Sequence, residues 1–317
     1  MCAQGGSVKG LSKLNLRNGW SVMIPTFNDG ELLRQCLQSV LEADLPGSGM
    51  EVIVMDDRST RGNPAAVVAS FGSERVKFIK NDANLGSTGN FNRCIDESRG
   101  DLVHILHADD WVEKSFYTCV EDAFIRNPEI ALVCCRVNIV DQSGALQDLS
   151  ARLDFLEKPS HLANQLDCDN PIRTPGVVVR RDVYQSLGGF HPELRHAADW
   201  ELWTRILGQY PGLFLNRPLA NYRFFPENET HRFYKTGENI RDLIRLYRVL
   251  RQRGNPFAEN EFLEKVYQLS RAQIRRYRKS GEQEAVKANQ SVLKELFPYL
   301  SVKRKFESVV LLGPFIP

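Results

Sequence analysis

The sequence predicts an α/β fold in which a mixed, mainly parallel sheet is flanked by helices and followed by a C-terminal helical extension. Two patterns predict it. From Trp20 to Leu106, four short apolar runs alternate with stretches of helical periodicity, as in a doubly wound sheet. From Thr236 onward the chain reads as helical and basic. A chain of 317 residues has room for one large α/β domain and a smaller appendage, divided here into 1–235 and 236–317.

Each element has its own signal. Trp20–Ile24 is a short apolar strand stopped by Pro25-Thr26-Phe27-Asn28-Asp29. Asn28 or Asp29 is expected to cap a helix from Gly30 to Ala43, whose Leu32, Leu33, Cys36, Leu37, Val40 and Leu41 share a face. Met50–Met55 is the second strand and ends in Asp56-Asp57. A helix begins near Asn63, with Pro64 in its first turn. Val76–Ile79 is the third strand, followed by a loop from Asn81 to Gly89 and a helix carrying Phe91, Cys94 and Ile95. Leu102–Leu106 is the central strand, and it stops at His107-Ala108-Asp109-Asp110. Further on, Ile130–Val140 and Thr174–Val179 read as strands and Arg181–Leu187 as a short helix broken by Gly188-Gly189-Phe190. Asp199–Leu207 resumes helical spacing, and Leu213–Leu215 with Ala220–Phe224 reads as a closing pair of strands.

Composition narrows the class. A net charge of +2 gives no electrostatic case for a nucleic-acid partner. The seven cysteines are odd in number and include no C-x-x-C pair, which fits a reduced, intracellular chain rather than a disulfide framework. No stretch reaches the roughly 18 apolar residues of a membrane span, and Met1 to Asn18 lacks a signal-peptide core. The expectation is a soluble, cytoplasmic protein, peripheral at most to the inner face of the cell membrane. Between Arg241 and Ser280, eleven Lys and Arg face four Asp and Glu. They form either a solvated helix face or, with Lys303-Arg304-Lys305 and the apolar tail Val309 to Ile316, a surface for anionic lipid.

The polar strand ends matter most. In open α/β sheets, ligands bind outside the carboxyl ends of the strands, and three of the four runs stop at polar loops on that edge. This places Thr26, Asp57 and Asp109/Asp110 around one crevice. Adjacent carboxylates repel when ionised, so such a pair suggests a cation between them and an anion, most simply Mg²⁺ or Mn²⁺ with a diphosphate. The other reading is a solvated turn that ends the strand.

Six segments, in order, carry a resemblance: Val22–Asn28, Val54–Ser59, Asn84-Leu85-Gly86, His107–Asp110, Gly188-Gly189-Phe190 and Ala198–Trp203. Together they resemble the family 2 glycosyltransferases of the GT-A fold over roughly residues 20 to 225. The resemblance implies roles. Asp57 would accept a hydrogen bond from the base of a nucleotide-sugar, with Pro25, Thr26 and Phe27 lining the same pocket, while Asp56 closes an Asx turn. Asp109 and Asp110 match the family's Asp-x-Asp metal motif, with His107 where the first acid is usual. Asp110 would then bind Mn²⁺ or Mg²⁺, and Asp109 the ribose or a ligand of the metal. His107 would touch the metal or the ribose, or merely pack. Asp199 matches the catalytic base, its usual Glu neighbour being Ala198 here, and it is equally placed to cap a helix. Asn84 and Gly86 would lie near the nucleotide, although their loop lacks the Walker lysine and has Phe91-Asn92 where Arg-Asn is usual. Gly188 and Gly189 would let backbone approach the sugar or acceptor. Arg223, His231 and Arg232 fall where relatives keep a mobile basic loop over the diphosphate.

The function so implied is inverting transfer of one sugar from a nucleotide-diphospho-sugar donor to a hydroxyl of a glycan or lipid-linked glycan acceptor. The setting would be bacterial surface polysaccharide synthesis of the O-antigen, capsule or LPS type. Gln-x-x-Arg-Trp, which marks processive synthases, is absent. Two rivals stand beside this reading. A sugar-nucleotidyltransferase would need a basic Gly-rich loop after the first strand, and Pro25 to Gly30 contains no Lys or Arg. A catalytically silent nucleotide-sugar binder would explain Ala198 and His107.

Overall fold

A computed structural model of the chain describes residues 11, 14–154, 170–225, 228–253, 258–301, 304–305 and 308. Contacts divide them into two compact units. One comprises the chain up to 154, Asn170–Pro192 and Leu202–Phe224; the other comprises Glu193–Glu201 and the residues from 225 onward.

The first unit is a layered α/β structure. Its strands are β1 (Trp20–Thr26), β2 (Met50–Asp56), β3 (Val76–Lys80), β4 (Leu102–Ile105), β5 (Trp111–Val112), β6 (Leu132–Val140), β7 (Leu146–Leu149), β8 (Val177–Arg180) and β9 (Gly212–Arg223). The helices between them are α1 (Gly30–Glu42), α2 (Pro64–Ser70), α3 (Gly86–Glu97), α4 (Phe116–Arg126), α5 (Arg181–Leu187) and α6 (Ala198–Gln209), the last divided between the units after Glu201. The strands form one sheet in the order β3-β2-β1-β4-β8-β6-β9-β5, with β7 paired to β6. β1 to β4 are parallel, as the alternation of strands and helices requires, and from β4 to β8 the pairing turns antiparallel. Every residue of β1 is buried, as expected of a central strand covered on both faces.

The core follows the sequence pattern. Leu33, Cys36, Leu37 and Val40 of α1 pack with Val22, Ile24 and Val54 of the sheet and with Phe116, Val120 and Phe124 of α4. Trp20 is fully buried and meets the need of its indole N–H by donating to Glu121 Oε2 at 2.8 Å.

Local expectations fail in three places. Asn28 does not cap α1, and Asp29 makes no side-chain cap bond either. Asn28 sits at φ 67° and its Oδ1 accepts from Thr60 N (2.9 Å) and Arg61 N (3.1 Å), tying the loop after β1 to the loop after β2. Asparagine tolerates the left-handed region, so the same residue that signals a cap also suits this staple. The expected loop up to Gly89 is instead helical from Gly86. The pair of strands expected at 213–215 and 220–224 is one strand, β9. Its polar break at Asn216-Arg217-Pro218 is an irregular stretch against Arg136, where Pro218 cannot donate to the ladder.

The second unit is helical: α7 (Glu229–Thr236), α8 (Glu238–Gln252), α9 (Glu259–Lys279) and α10 (Gln283–Leu296). Ile240, Leu243, Leu246 and Leu250 of α8 form its buried stripe. Several arginines counted in the basic stretch are paired within this unit. Arg241 meets Glu238 and Glu295, Arg245 meets Glu238 and Asp242, Arg251 meets Glu259, and Arg253 meets the fully buried Glu201. Lys303 and the tail Val309 to Ile316 lie outside the described residues.

His104 illustrates how β4 is fixed. Its Nε2 donates to Pro175 O at 3.0 Å, so in the neutral ring Nδ1 is the acceptor and Tyr117 Oη donates to it at 3.3 Å. Burial pushes the imidazole pKa down to about 3. The unfolded chain, titrating near 6.5, therefore binds this proton more tightly than the folded protein, and acid favours unfolding. The stability involved is complete above about pH 6.5 and is lost as the pH falls toward about 3. We expect urea unfolding midpoints to fall between pH 6.5 and 4.5, and His104→Gln to flatten that slope by up to about 1.4 kcal/mol per pH unit; an unchanged slope would show that another group governs it.

Candidate active site

The site follows from the sheet register. β1 is central, with Thr26 opposite Asp56 of β2 on one side and Met23 opposite Ile105 of β4 on the other. The chain runs outward from β1 through β2 to β3 and returns on β1's other side as β4. This reversal opens a crevice outside the carboxyl ends of β1 and β4. Pro25 and Thr26 are buried at its edge, and Phe27 beyond them is 44% exposed.

Asp57 follows β2 and is held by three segments. Its N–H donates to Thr26 O at 2.9 Å, and its Oδ1 accepts from Asn81 Nδ2 (3.0 Å) and from Leu85 N at the start of α3 (2.8 Å). Asn84 Nδ2 donates to the Asp57 carbonyl at 2.9 Å. Asn81 donates its other hydrogen to Asn90 Oδ1 (2.9 Å), and Asn90 in turn donates to Met55 O (3.1 Å). A carboxylate at a helix N-terminus is favoured by the unpaired N–H groups there, so Asp57 and α3 stabilise one another. Among the described residues, only Oδ1 has hydrogen-bond donors; Oδ2 remains for something else. Asp56 closes its expected turn by accepting from Ser59 N at 3.0 Å. Asn84 and Gly86 therefore serve the start of a helix beside Asp57 rather than a free phosphate loop.

Asp110 lies at the end of β4's loop and is 1% exposed. Its Oδ1 accepts from Arg223 N at 2.8 Å, but its buried Oδ2 has no hydrogen-bond partner among the described residues. Burial, first, and the neighbouring Asp109 carboxylate, second, push its pKa well above the usual carboxylate range against the pull of Arg223. His107 Nδ1 stands 3.8 Å from Asp110 Oδ2, its buried Nε2 has no hydrogen-bond partner among the described residues, and its ring is stacked on Phe91 at 4.9 Å. Burial lowers the pKa of His107 to about 4, leaving a neutral imidazole at neutral pH. One donor atom each from His107, Asp109 and Asp110 lies within 4.8 Å of the others, a set able to hold a divalent cation. The unpaired Asp110 oxygen is what such an ion would satisfy, since a buried charge without a partner costs several kcal/mol. Thr26 Oγ1 is likewise buried and unpartnered.

Arg223 departs from its expected place in a mobile loop. It ends β9, is 2% exposed, and donates from Nε to Asp109 O (2.9 Å) and through its terminal nitrogens to Gln142 O and Gln35 Oε1 (both 2.5 Å). Its guanidinium also lies 4.8 Å from the Trp111 ring. It is thus a buried brace joining α1, the turn after β6, β9 and the backbone at Asp109. Gly188 and Gly189 differ from expectation too. A Cβ on Gly189 would come within 2.2 Å of Asn92 Oδ1, and the segment is held by Asn92, which bonds Phe190 N and O, and by Arg205, which donates to the carbonyls of 187 to 189. The missing side chain makes room for Asn92. In the second unit, Asp199 opens α6 and accepts from its neighbour Trp200 N at 2.6 Å. His231 is buried in α7 and Arg232 is exposed beside Glu229. Sequence reasoning missed Asn81, Asn90 and Gln35. Asn81 was open to the same strand-end logic that found Asp57, whereas Gln35 looks like any exposed helical residue.

A mixed sheet with acids after its central parallel strands is the architecture of GT-A glycosyltransferases. Solved structures agree: a mannosyltransferase from Pyrobaculum calidifontis in complex with GDP-Man and Mn²⁺ matches 96% of this chain and 81% of its own at TM-score 0.57 and 17% identity. Staphylococcus aureus TarS 1–349 matches 89% and 92% at TM-score 0.53 and 16% identity. The chain belongs to glycosyl transferase family 2, whose model matches residues 21–188, and it is a glycosyltransferase. Among curated proteins it is 26% identical to MT1568 of Mycobacterium tuberculosis (71% of this chain, 73% of that one) and 26% identical to the amylovoran biosynthesis glycosyltransferase AmsB of Erwinia amylovora (64% and 69%). A Campylobacter jejuni enzyme, the GalNAc(5)-diNAcBac-PP-undecaprenol beta-1,3-glucosyltransferase, is 33% identical over 92 residues, 28% of this chain and 29% of that one.

Arg223→Met keeps much of the apolar stem but strips the donors from three carbonyl and amide oxygens. We expect it to cost about 2–4 kcal/mol in chemical denaturation, beyond the spread of ordinary surface changes. A change under about 0.5 kcal/mol would mean that the brace is not formed in solution.

Proposed function

We propose that this glycosyltransferase moves one sugar from a nucleotide-diphospho-sugar to a hydroxyl acceptor with inversion, in the assembly of a bacterial surface polysaccharide. The observation that carries the reading is the pairing of Asp57 and Asp110 at the ends of strands flanking β1, each with a carboxylate oxygen that no described residue satisfies. Asp57 Oδ2 accepts a donor of the nucleotide base between Pro25, Thr26 and Phe27. Asp110, with Asp109, would hold Mn²⁺ or Mg²⁺, which when bound supplies charge neutralisation for the diphosphate. In the transfer the acceptor oxygen bonds to C1 from the face opposite the diphosphate, the C1–O bond to phosphate breaks, and Asp199 takes the hydroxyl proton. The nucleoside diphosphate leaves. Positioning supplies the rest of the acceleration.

The acceptor reading draws on the relatives named for amylovoran biosynthesis and for a diphospho-undecaprenol-linked glycan. A lipid-linked acceptor would bring the enzyme to a membrane. No helix among the described residues is long and apolar enough to cross one, so contact would be peripheral, through the exposed Arg275, Arg276 and Lys279 at the end of α9. Co-sedimentation with anionic vesicles at low salt, lost when the three are changed to Ser, is the expected result; equal pelleting with neutral vesicles would remove the electrostatic reading.

Thermal shifts across UDP-, GDP- and dTDP-sugars with Mn²⁺ identify the donor, because a ligand of the native state raises apparent stability. With that donor, Asp199→Asn is expected to cut release of nucleoside diphosphate by about 10²-fold or more without weakening donor binding. Full turnover in that variant would refute the base assignment, and binding without turnover across acceptors would favour a silent binder.

A further inference from the structure

We propose that His107 is itself a metal ligand and that it sets the site's preference for divalent transition ions over Mg²⁺; the inference rests on the metal-assisted reading above. The first argument is distance. The 3.8 Å between His107 Nδ1 and Asp110 Oδ2 is too long for a hydrogen bond. It suits two ligands of one ion, because metal–ligand bonds of about 2.1 Å place neighbouring donor atoms about 3–4 Å apart.

The second argument is the lack of any other partner. Asp110 is 99% buried by the complement of its 1% exposure, and its Oδ2 finds no donor; neither nitrogen of His107 makes a hydrogen bond to a described residue. A histidine recruited only for packing would be expected to settle its buried nitrogen against a carbonyl, as His104 does with Pro175 two turns of strand pleat away.

The third argument is pre-organisation. The ring is stacked within 10° of the Phe91 plane, and Phe91 packs on Phe190, which Asn92 holds by its backbone. The His107 carbonyl accepts from Asp110 N at 3.0 Å and from the Cys36 thiol at 3.6 Å, so the turn that carries the imidazole also carries the carboxylate. Phe91 stands where the resemblance leads one to expect an arginine, and an arginine there would put a positive charge beside the imidazole and oppose a neighbouring cation, which the neutral phenyl ring does not. The two departures are one arrangement: an aromatic platform for an imidazole ligand.

The chemistry follows from the donor set. Mg²⁺ prefers oxygen and gives up water reluctantly, whereas imidazole suits transition ions, so exchanging an acid for His107 penalises Mg²⁺ more than Mn²⁺. The exchange also removes one negative charge from the ligand set, which leaves a bound ion with more of its own charge.

The test uses the whole chain and Mn²⁺ alone, without nucleotide. Titration followed by the loss of the free-ion EPR signal gives the affinity, and pulsed EPR reads nitrogen bound directly to manganese. The wild type is expected to show a directly coordinated nitrogen, and His107→Gln to lose it while its Mn²⁺ affinity falls about tenfold or more. His107→Asp should abolish the nitrogen signature and, in Mg²⁺ competition, narrow the preference for Mn²⁺ by about tenfold. Absence of coordinated nitrogen in the wild type overturns the proposal without reference to any variant's folding, as does a His107→Gln protein that binds Mn²⁺ as tightly as before. Because no sugar donor is present, a nitrogen signature in a protein that transfers nothing sinks the transfer reading alone, and transfer without that signature sinks the ligand assignment alone.

Discussion

A carboxylate oxygen kept dry and given no hydrogen-bond donor is the constraint from which the rest of the α/β unit can be understood. Asp110 has its Oδ1 secured by the backbone of Arg223, while Oδ2 has no hydrogen-bond partner among the described residues and lies 3.8 Å from His107 Nδ1. Burial and the adjoining Asp109 both oppose its ionisation. A fold driven only toward stability would replace such a residue with an apolar one of similar size, since the desolvation of a lone charge outweighs the single bond it gains. The surroundings instead hold the group in place. Arg223 at the end of β9 reaches Gln35 of α1, the turn after β6 and the Asp109 carbonyl, so three other segments fix the backbone on which the two acids stand.

Asp57 is managed in the opposite way. Its Oδ1 has two protein donors, its carbonyl a third, and the asparagines that supply or relay them are themselves satisfied down to Met55. One carboxylate is thus anchored by protein donors, while burial and Asp109 oppose the ionisation of the other. The two lie at the ends of strands on either side of β1, so a single element of the sheet sets their spacing. Two acids in surroundings this different are suited to different tasks.

Much of this could be read in the sequence because it follows from short-range rules. The four parallel strands, the helices between them and the convergence of Thr26, Asp57 and Asp110 come from apolar periodicity and from where each run stops. What escaped depended on partners far away in the chain. Asn28 has the composition of a cap, but its acceptors are spent on Thr60 and Arg61, and no local window contains that choice. Arg223 fell within a strand read from the sequence, and only the resemblance placed it in a mobile loop; that Pro218 and its two polar neighbours interrupt one continuous strand shows only in the ladder against β6. At Gly189 the closely approaching group is Asn92, nearly a hundred residues earlier, a partner that no local window contains. His107 was visible as a departure from pattern, but nothing in a sequence tells a packed ring from an unpartnered one.

The last third of the chain, which the family match does not reach, gains a structural task from the helical unit's own contacts. The buried Asp242 of α8 accepts from Arg195 N at 2.9 Å and Ala197 N at 2.8 Å, immediately before α6, and Arg253 at the end of α8 pairs with the buried Glu201 one turn into it. Trp200 packs at 5.7 Å against Phe262 of α9. The segment that bears Asp199 is therefore anchored on both sides by α8 and covered by α9, and it belongs to the helical unit rather than to the sheet. Buried charges satisfied by backbone N–H groups fix a loop more tightly than apolar packing alone, because moving either partner exposes an unpaired ion. Basic helices that looked in the sequence like a solvated or lipid-facing surface spend several of their arginines on such internal pairs, and their buried acids on holding the start of α6.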